Sequence, residues 1–216
     1  MIKIENLETY GWEAAIRGMR NPMNSWDKSD SWGESPYFNF HTGKLISEGF
    51  NIGPNDLSLM QKLVKAGSDH SKFMRQIIVS MDITAPLYWW KEFDTYKVGT
   101  VANSCSTMHK IHEKVFDRED FSIEHLNPAF LIGFDETLYY LNLAREAFLE
   151  SKDKAWWWQM IQLLPSSYNQ RRTVTLNYAV LRNMYNARKN HKLDEWRTLC
   201  QRIQDLPYAK ELICYG

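Results

Sequence analysis

The sequence predicts an α+β fold, rich in helix and built around a small sheet, as a single domain over residues 1–216. Three observations carry this. Apolar residues recur at helical spacing along most of the chain, and 10 Gly and 7 Pro are few for 216 residues. Residues 76–84 switch period: Ile77, Val79, Met81 and Ile83 alternate with Ser80, Asp82 and Thr84, as in a strand. The length suits one domain, and no internal repeat, linker or low-complexity stretch divides it.

Taken in order, Tyr10–Arg20 reads as a short helix. Residues 21–53 are loop-rich, with Asn, Ser, Asp, Gly and Pro between scattered aromatics. Their segment 21–31, Asn-Pro-Met-Asn-Ser-Trp-Asp-Lys-Ser-Asp-Ser, is too polar for a core. It is either a surface loop or a loop that folds over a ligand. Asn55 suits a helix N-cap, Leu57, Met60, Leu63 and Val64 form an apolar stripe behind it, and Gly67 ends the helix. After the strand, Pro86 fits the first turn of a helix running to about Tyr96. A long helix is expected over 135–150, with Leu138, Leu141, Leu143, Ala144 and Phe148 facing inward. Another starts near Asp153, carries Trp156-Trp157-Trp158 and is interrupted by Pro165. Helices follow at about 173–189 and 193–204.

Composition excludes several classes. Lys+Arg and Asp+Glu number 26 each, so the zero net charge gives no broad drive toward nucleic acid polymers or anionic membranes. With 44% hydrophobic residues the chain can build a core, and global disorder is not expected. No run of 18 apolar residues predicts a membrane-spanning helix, and the opening MIKIENLETY predicts no secretory signal. Three widely spaced cysteines, Cys105, Cys200 and Cys214, form no metal pattern or disulfide framework, which fits a reducing cytoplasm.

No dinucleotide-binding glycine motif, phosphate-binding loop, nucleophile elbow or zinc-protease motif is present. His109, His112 and Glu113 suggest either a metal site or an exposed polar helix face, and no set of four ligands completes the former. Basic residues gather late, among them Arg171, Arg172, Arg182, Arg188 and Arg197. If 173–189 is helical, Asn177 and Arg188 share a face, because eleven residues make about three turns. An amide and a guanidinium so placed suit a planar heterocycle, although solvated arginines give the same pattern. Trp89-Trp90 and Trp156-Trp157-Trp158 read as core and subunit packing, or as stacking platforms for a ring ligand. Cys105 is either a free structural thiol or a nucleophile, with His109 one helical turn on.

The run Leu164-Pro165, Arg171, Asn177, Leu181, Asn183, Arg188 resembles the C-terminal half of the flavin-dependent thymidylate synthases. In that family the stretch reads as a Leu-Pro turn, a phosphate-binding Arg, two flavin-contacting Asn and a pyrimidine-contacting Arg. His191 and Trp196 are similar to the family's following His and Trp segment, with a slip of about one residue. Upstream, His70, the alternating strand, Ala85-Pro86 and the aromatic helix resemble the family's flavin-contacting His, strand and Ala-Pro step. The signature that follows is degraded. Lys97 stands for an Arg, Thr100 for a Ser, Asn103 for a Glu and Thr107 for the last Arg. Cys105 replaces the substrate-side Ser between Ser104 and Ser106, and Glu92 replaces a Gln. The resemblance covers about 67–200, leaving residues 1–55 unassigned. Taken whole, the chain also resembles proteins of phage and prophage genomes, which would place it in a host cytoplasm.

The resemblance implies a homotetrameric enzyme that binds FAD and deoxyuridylate. A methylene from methylenetetrahydrofolate passes to the uracil, and NADPH supplies hydride. It implies that Arg171, Glu92, Cys105, Ser106 and Thr107 bind the nucleotide. Arg188 would hold the uracil carbonyl edge and, with Cys105, stand among the catalytic residues. His70, Lys97, Thr100, Asn103, Asn177 and Asn183 would contact the flavin. Replacing Arg by Thr at 107 removes charged hydrogen bonds worth roughly 1.5–3 kcal/mol each. Glu92 would repel a phosphate unless paired. Three readings therefore stand: a thymidylate synthase with a rearranged pocket, a flavin enzyme on another pyrimidine or folate reaction, and a nucleotide- or flavin-binding shell without catalysis.

Overall fold

The computed structural model describes residues 2–33, 37–39, 44–46 and 50–215. The chain opens with β1 (Lys3–Tyr10) and α1 (Trp12–Arg20), then the short strands β2 (Trp32–Gly33), β3 (Tyr37–Asn39), β4 (Lys44–Ile46) and β5 (Phe50–Asn51). There follow α2 (Pro54–Lys65), β6 (Ile78–Pro86), α3 (Leu87–Phe93) and β7 (Val101–Ser104). The remainder comprises α4 (Pro128–Ser151), α5 (Lys154–Leu163), β8 (Asn169–Asn177), α6 (Tyr178–Arg188), α7 (Asp194–Ile203) and α8 (Ala209–Leu212). One sheet has the order β1-β6-β8-β7, and β2 with β5 and β3 with β4 form antiparallel pairs. The α+β, helix-rich class expected from the sequence is the fold observed. No helix among the described residues is long and apolar enough to cross a membrane.

The chain divides into two compact units. The first comprises Met1–Leu7, Met81–Val174 and Asn190–Leu199. Its helical hairpin α4–α5 closes over a cluster of Ile111, Phe116, Phe121, Phe134, Leu141, Ala144 and Met160. Trp89, Trp90, Phe93 and Trp196 form a second, aromatic packing group, with Trp89 4.8 Å from both Trp90 and Trp196 between ring centroids. Trp89 and Trp90 are therefore core residues. Trp156 and Trp158 are exposed, while Trp157 packs on the cluster and donates its indole N–H to the Met108 carbonyl. Leu143, expected inside, faces outward on α4.

The second unit comprises Glu8–Ser80, Thr175–Lys189 and Cys200–Gly216. Here α1 and α6 pack against the turn Lys72–Arg75, which buries Phe73 and Met74. Gly11 precedes α1 at φ +86°, and a Cβ there would lie 2.1 Å from the Gln76 carbonyl oxygen, so the close approach of two backbones requires glycine.

The polar segment 21–31 wraps a buried carboxylate. Asp56 is fully buried and accepts hydrogen bonds from Arg20 Nε at 2.6 Å, Ser29 Oγ at 2.8 Å and Ser31 Oγ at 2.6 Å. The backbone N–H groups of Asp30 and Ser31 donate to the same group. Arg20 in turn donates to the Ser25 and Lys28 carbonyls. The loop's polarity thus serves an internal ion pair, and its residues Met23, Ser25, Asp27, Lys28, Ser29 and Asp30 also line a cavity. The rest of the expected loop region to residue 53 lies partly outside the described residues.

Three local expectations are corrected. Gly53, not Asn55, is the N-cap of α2, because Pro54 takes the first helical position and Asp30 accepts from the Asn55 and Asp56 N–H groups. The helix expected over 173–189 begins at Tyr178, since residues 169–177 form β8. Residues 105–114 are turns rather than helix, and His112 packs edge-on against Phe148 with 4.9 Å between centroids.

Candidate functional site

The predicted site residues fall in both units, and each group is described within its own unit. In the first unit they follow α3, line β7 and sit on β8. Glu92, in the last turn of α3, accepts from the Trp196 indole N–H at 2.7 Å, and His191 Nε2 lies 3.5 Å from the same oxygen. The carboxylate that would repel a phosphate is therefore hydrogen-bonded within its own unit.

Beyond α3 the chain turns at Gly99 and enters β7. Lys97 and Thr100 line an open pocket of about 340 Å³ with Phe93, Asp94, Tyr96 and Ala102. Thr100 Oγ1 is buried with no hydrogen-bond partner among the described residues. Lys97 and the Thr100 hydroxyl offer donors beside two aromatic residues, and the Asp94 carboxylate in the same lining is paired with Arg172. Asn103 is exposed on β7.

Cys105 follows β7 and is exposed. Its N–H donates to the Arg171 carbonyl at 2.9 Å, and its carbonyl accepts from Gln170 Nε2 at 2.7 Å. Cys105 and Arg171 are thus adjacent through their backbones. Ser106 Oγ accepts from the Met108 and His109 N–H groups at 3.1 and 2.8 Å, tying that hydroxyl to the turn. Residues 105–109 are not helical, so His109 does not stand one helical turn on from Cys105. Thr107 is half-buried beside this turn. Among the described residues, no group of three or more His, Cys, Asp or Glu is placed to hold a metal ion.

Arg171 projects from β8 with its side chain 49% exposed, and its Nη2 donates to Asp82 Oδ2 at 2.7 Å. The neighbouring Arg172 turns away. It pairs with Asp94 at 2.7 Å, lies 4.2 Å from the Trp90 ring centroid and donates from Nε to Gln170 Oε1 at 2.9 Å. Trp90 then donates to the Gln170 carbonyl at 3.0 Å. Asp94, Arg172, Trp90 and Gln170 together hold the backbone under Cys105. Sequence reasoning missed Asp82, Gln170 and Arg172 as site-supporting residues. The signal for Asp82 was present, since it lies on the polar side of the β6 alternation, but nothing in the sequence paired it with β8.

In the second unit, His70 is exposed in the turn after α2. Asn177 is buried, and its side-chain oxygen accepts from the Val180 N–H at 3.1 Å as the N-cap of α6. Being extended at φ −130° and ψ 168°, it stands outside the helix, so the eleven-residue face shared with Arg188 does not hold as expected. Tyr178, Leu181 and Met184 form the buried stripe of α6. Asn183 is exposed on α6, and Arg188 is half-buried at its end.

No protein-family model matches the chain, and no curated protein sequence matches it. Solved structures do share its fold. The flavin-dependent thymidylate synthase of Helicobacter pylori, complexed with FAD and dUMP, matches with TM-score 0.67 and 16% identity over 98% of this chain and 97% of that one. A second structure of that enzyme with FAD and dUMP gives TM-score 0.68 at 16% identity, over 99% of this chain and 97% of that one. The UMP/dUMP methylase PolB of Streptomyces cacaoi, bound to 5-Br dUMP, matches with TM-score 0.64 and 12% identity over 97% and 90% of the two chains. The chain therefore has the flavin-dependent thymidylate synthase fold.

Proposed function

We propose that this protein is an FAD-dependent enzyme that transfers a one-carbon unit to a pyrimidine deoxynucleotide, with dUMP to dTMP as the nearest reaction. The observation that carries the reading is the near-full-length likeness to a thymidylate synthase complexed with FAD and dUMP. A half-exposed Arg171 beside Cys105 on the sheet supports it.

In this reading Arg171 binds the nucleotide phosphate through charge-assisted hydrogen bonds. Arg188 holds the uracil carbonyl edge and stabilises negative charge that develops there. Cys105, Ser106 and Thr107 form the nucleotide-side wall, and Glu92, whose carboxylate accepts from the Trp196 indole with His191 3.5 Å away, shapes it. The resemblance assigns flavin contacts to Lys97, Thr100 and Asn103 in the first unit, and separately to His70, Asn177 and Asn183 in the second. FAD, when bound, supplies the electron-carrying chemistry. Methylenetetrahydrofolate is the proposed one-carbon donor and NADPH the proposed hydride source.

We also propose a homo-oligomer, a tetramer by resemblance. The support is the large apolar side chains exposed on the packed helices α4 and α5, with Ile132, Tyr139 and Leu143 at helical spacing on one side of α4 and Trp156 and Trp158 on α5. A second reading, a nucleotide- or flavin-binding protein without turnover, is favoured by Asn103 and Thr107, where the family signature has Glu and Arg.

The test is titration of the purified protein with FAD, read by the visible absorbance of bound flavin. Saturable uptake is expected, along with a yellow preparation. A colourless protein that takes up no added FAD refutes the cofactor assignment.

A further inference from the structure

Arg171 is held by an unusually complete set of contacts on its carboxylate partner. Asp82 stands on β6, next to β8 in the sheet, and its two oxygens take three side-chain donors. Oδ2 accepts from Arg171 Nη2 at 2.7 Å and from Asn6 Nδ2 at 2.7 Å, while Oδ1 accepts from Thr173 Oγ1 at 2.5 Å. Thr173 lies two residues beyond Arg171 on the same face of β8, which follows from the two-residue period of a strand. Asn6 reaches the carboxylate from β1, with its own backbone in the left-handed region at φ +51°. That conformation is uncommon for any side-chain-bearing residue and best tolerated by Asn and Asp. All four residues belong to the first unit.

The exposures differ in a telling way. The Asp82 side chain is 14% exposed, whereas that of Arg171 is 49% exposed. The acid is fixed and covered, and the base reaches outward from it. One guanidinium nitrogen is thereby anchored, and the rest of a planar fork is presented to solvent in a set direction.

We propose that Asp82 is a positioning residue for the nucleotide phosphate, holding the Arg171 guanidinium in the orientation that receives it. This rests on the reading of Arg171 as the phosphate-binding residue. Asp82 does not touch the nucleotide. It removes the rotational freedom that an exposed arginine would otherwise lose on binding. The hydrogen bonds from Thr173, Arg171 and Asn6 also hold the Asp82 carboxyl down at about 2, so its charge persists at every pH near neutrality. The opposite role, a carboxylate that occupies the phosphate's place and is displaced by it, conflicts with the Thr173 and Asn6 bonds, which would break on displacement.

The test compares the wild-type chain with Asp82→Ala and Asp82→Asn. Affinities for dUMP and for deoxyuridine, which lacks the phosphate, are measured side by side. Loss of Arg171 orientation is expected to weaken dUMP binding by roughly 10–100-fold in Asp82→Ala, as for a lost charge-assisted contact. Asp82→Asn, which keeps one acceptor oxygen and the side-chain shape, is expected to lose less. Deoxyuridine affinity is expected to be unchanged in both. Unchanged or tighter dUMP binding in Asp82→Ala overturns the proposal, tighter binding marking Asp82 as a competitor of the phosphate. A second measurement needs no nucleotide: 15N NMR of the arginine side chains, with the Arg171 signal assigned by its absence in Arg171→Lys. An ordered Arg171 side chain that becomes motionally averaged in Asp82→Ala is expected. An order unchanged by the substitution overturns the positioning role. Failure of the wild-type chain to bind dUMP contradicts the proposed function instead, and the NMR result still decides whether Asp82 fixes Arg171.

Discussion

Asp56→Ala is expected to lower folding stability by about 3–5 kcal/mol, as for removal of one partner from a buried ion pair. Asp56 is fully buried, and the Arg20 side chain is 5% exposed. Truncation strands the Arg20 charge and leaves the Ser29 and Ser31 hydroxyls and two backbone N–H groups without their acceptor. For a chain of this size the melting temperature should fall by roughly 6–20 °C. A shift below about 2 °C in a thermal melt contradicts the role assigned to this carboxylate. A pH dependence accompanies it. Burial pushes the Asp56 carboxyl up, but hydrogen bonds from Ser31, Ser29 and Arg20 outweigh burial and hold it below its ordinary value. A group whose folded-state value is lowered contributes stability above the ordinary carboxylate value of 3.8, and that contribution drains away as pH falls below it. Asp56→Asn should therefore flatten the acid limb of the stability profile.

Arg171→Ala is the second large effect expected. Charged hydrogen bonds to a phosphate contribute roughly 1.5–3 kcal/mol each, so dUMP affinity should drop about 10–150-fold per bond lost. FAD affinity should hold, because the pocket beside Lys97 and Thr100 is lined by other residues. Arg171→Lys should recover part of the loss, since a single ammonium restores charge without the planar fork. Isothermal titration with dUMP checks this. Equal binding by wild type and Arg171→Ala contradicts the placement of the phosphate.

Much of the fold was legible because its helices obey simple periodicity. The stripe on α2, the Ala-Pro step before α3 and the Asp153 cap of α5 each follow from local residue chemistry. β8 was not legible in the same way. Thr173 and Thr175 alternate with Val174 and Leu176, yet the apolar spacing runs on through Leu181 and Met184 as if one helix spanned both. The junction is fixed by Asn177, whose side chain caps α6 and so marks a change of period that spacing alone blurs. β1 escaped notice because its exposures alternate along mixed polar residues, and its place in the sheet comes from β6.

The site was legible where single residue types carry the chemistry, and obscure where pairing decides it. Arg171 stood out as a cation in a motif, but its carboxylate partner lies 89 positions away in sequence. The Glu92 charge raised a conflict that the sequence could not resolve, because the Trp196 indole and His191 arrive from α7 and the segment before it. The loop at 21–31 shows the same limit. Its serines and aspartates advertise hydrogen bonding, and the partner they serve, Asp56, sits on a helix that by its apolar stripe looked ordinary.

Methyl transfer to the nucleotide is the central chemistry proposed for this protein. Its most direct test is mass analysis of dUMP incubated with the protein, FAD, NADPH and methylenetetrahydrofolate. The account predicts dTMP, a nucleotide in which one ring hydrogen has become a methyl group, formed in proportion to enzyme and abolished by omitting FAD. A protein that binds both FAD and dUMP yet returns the dUMP unchanged contradicts it.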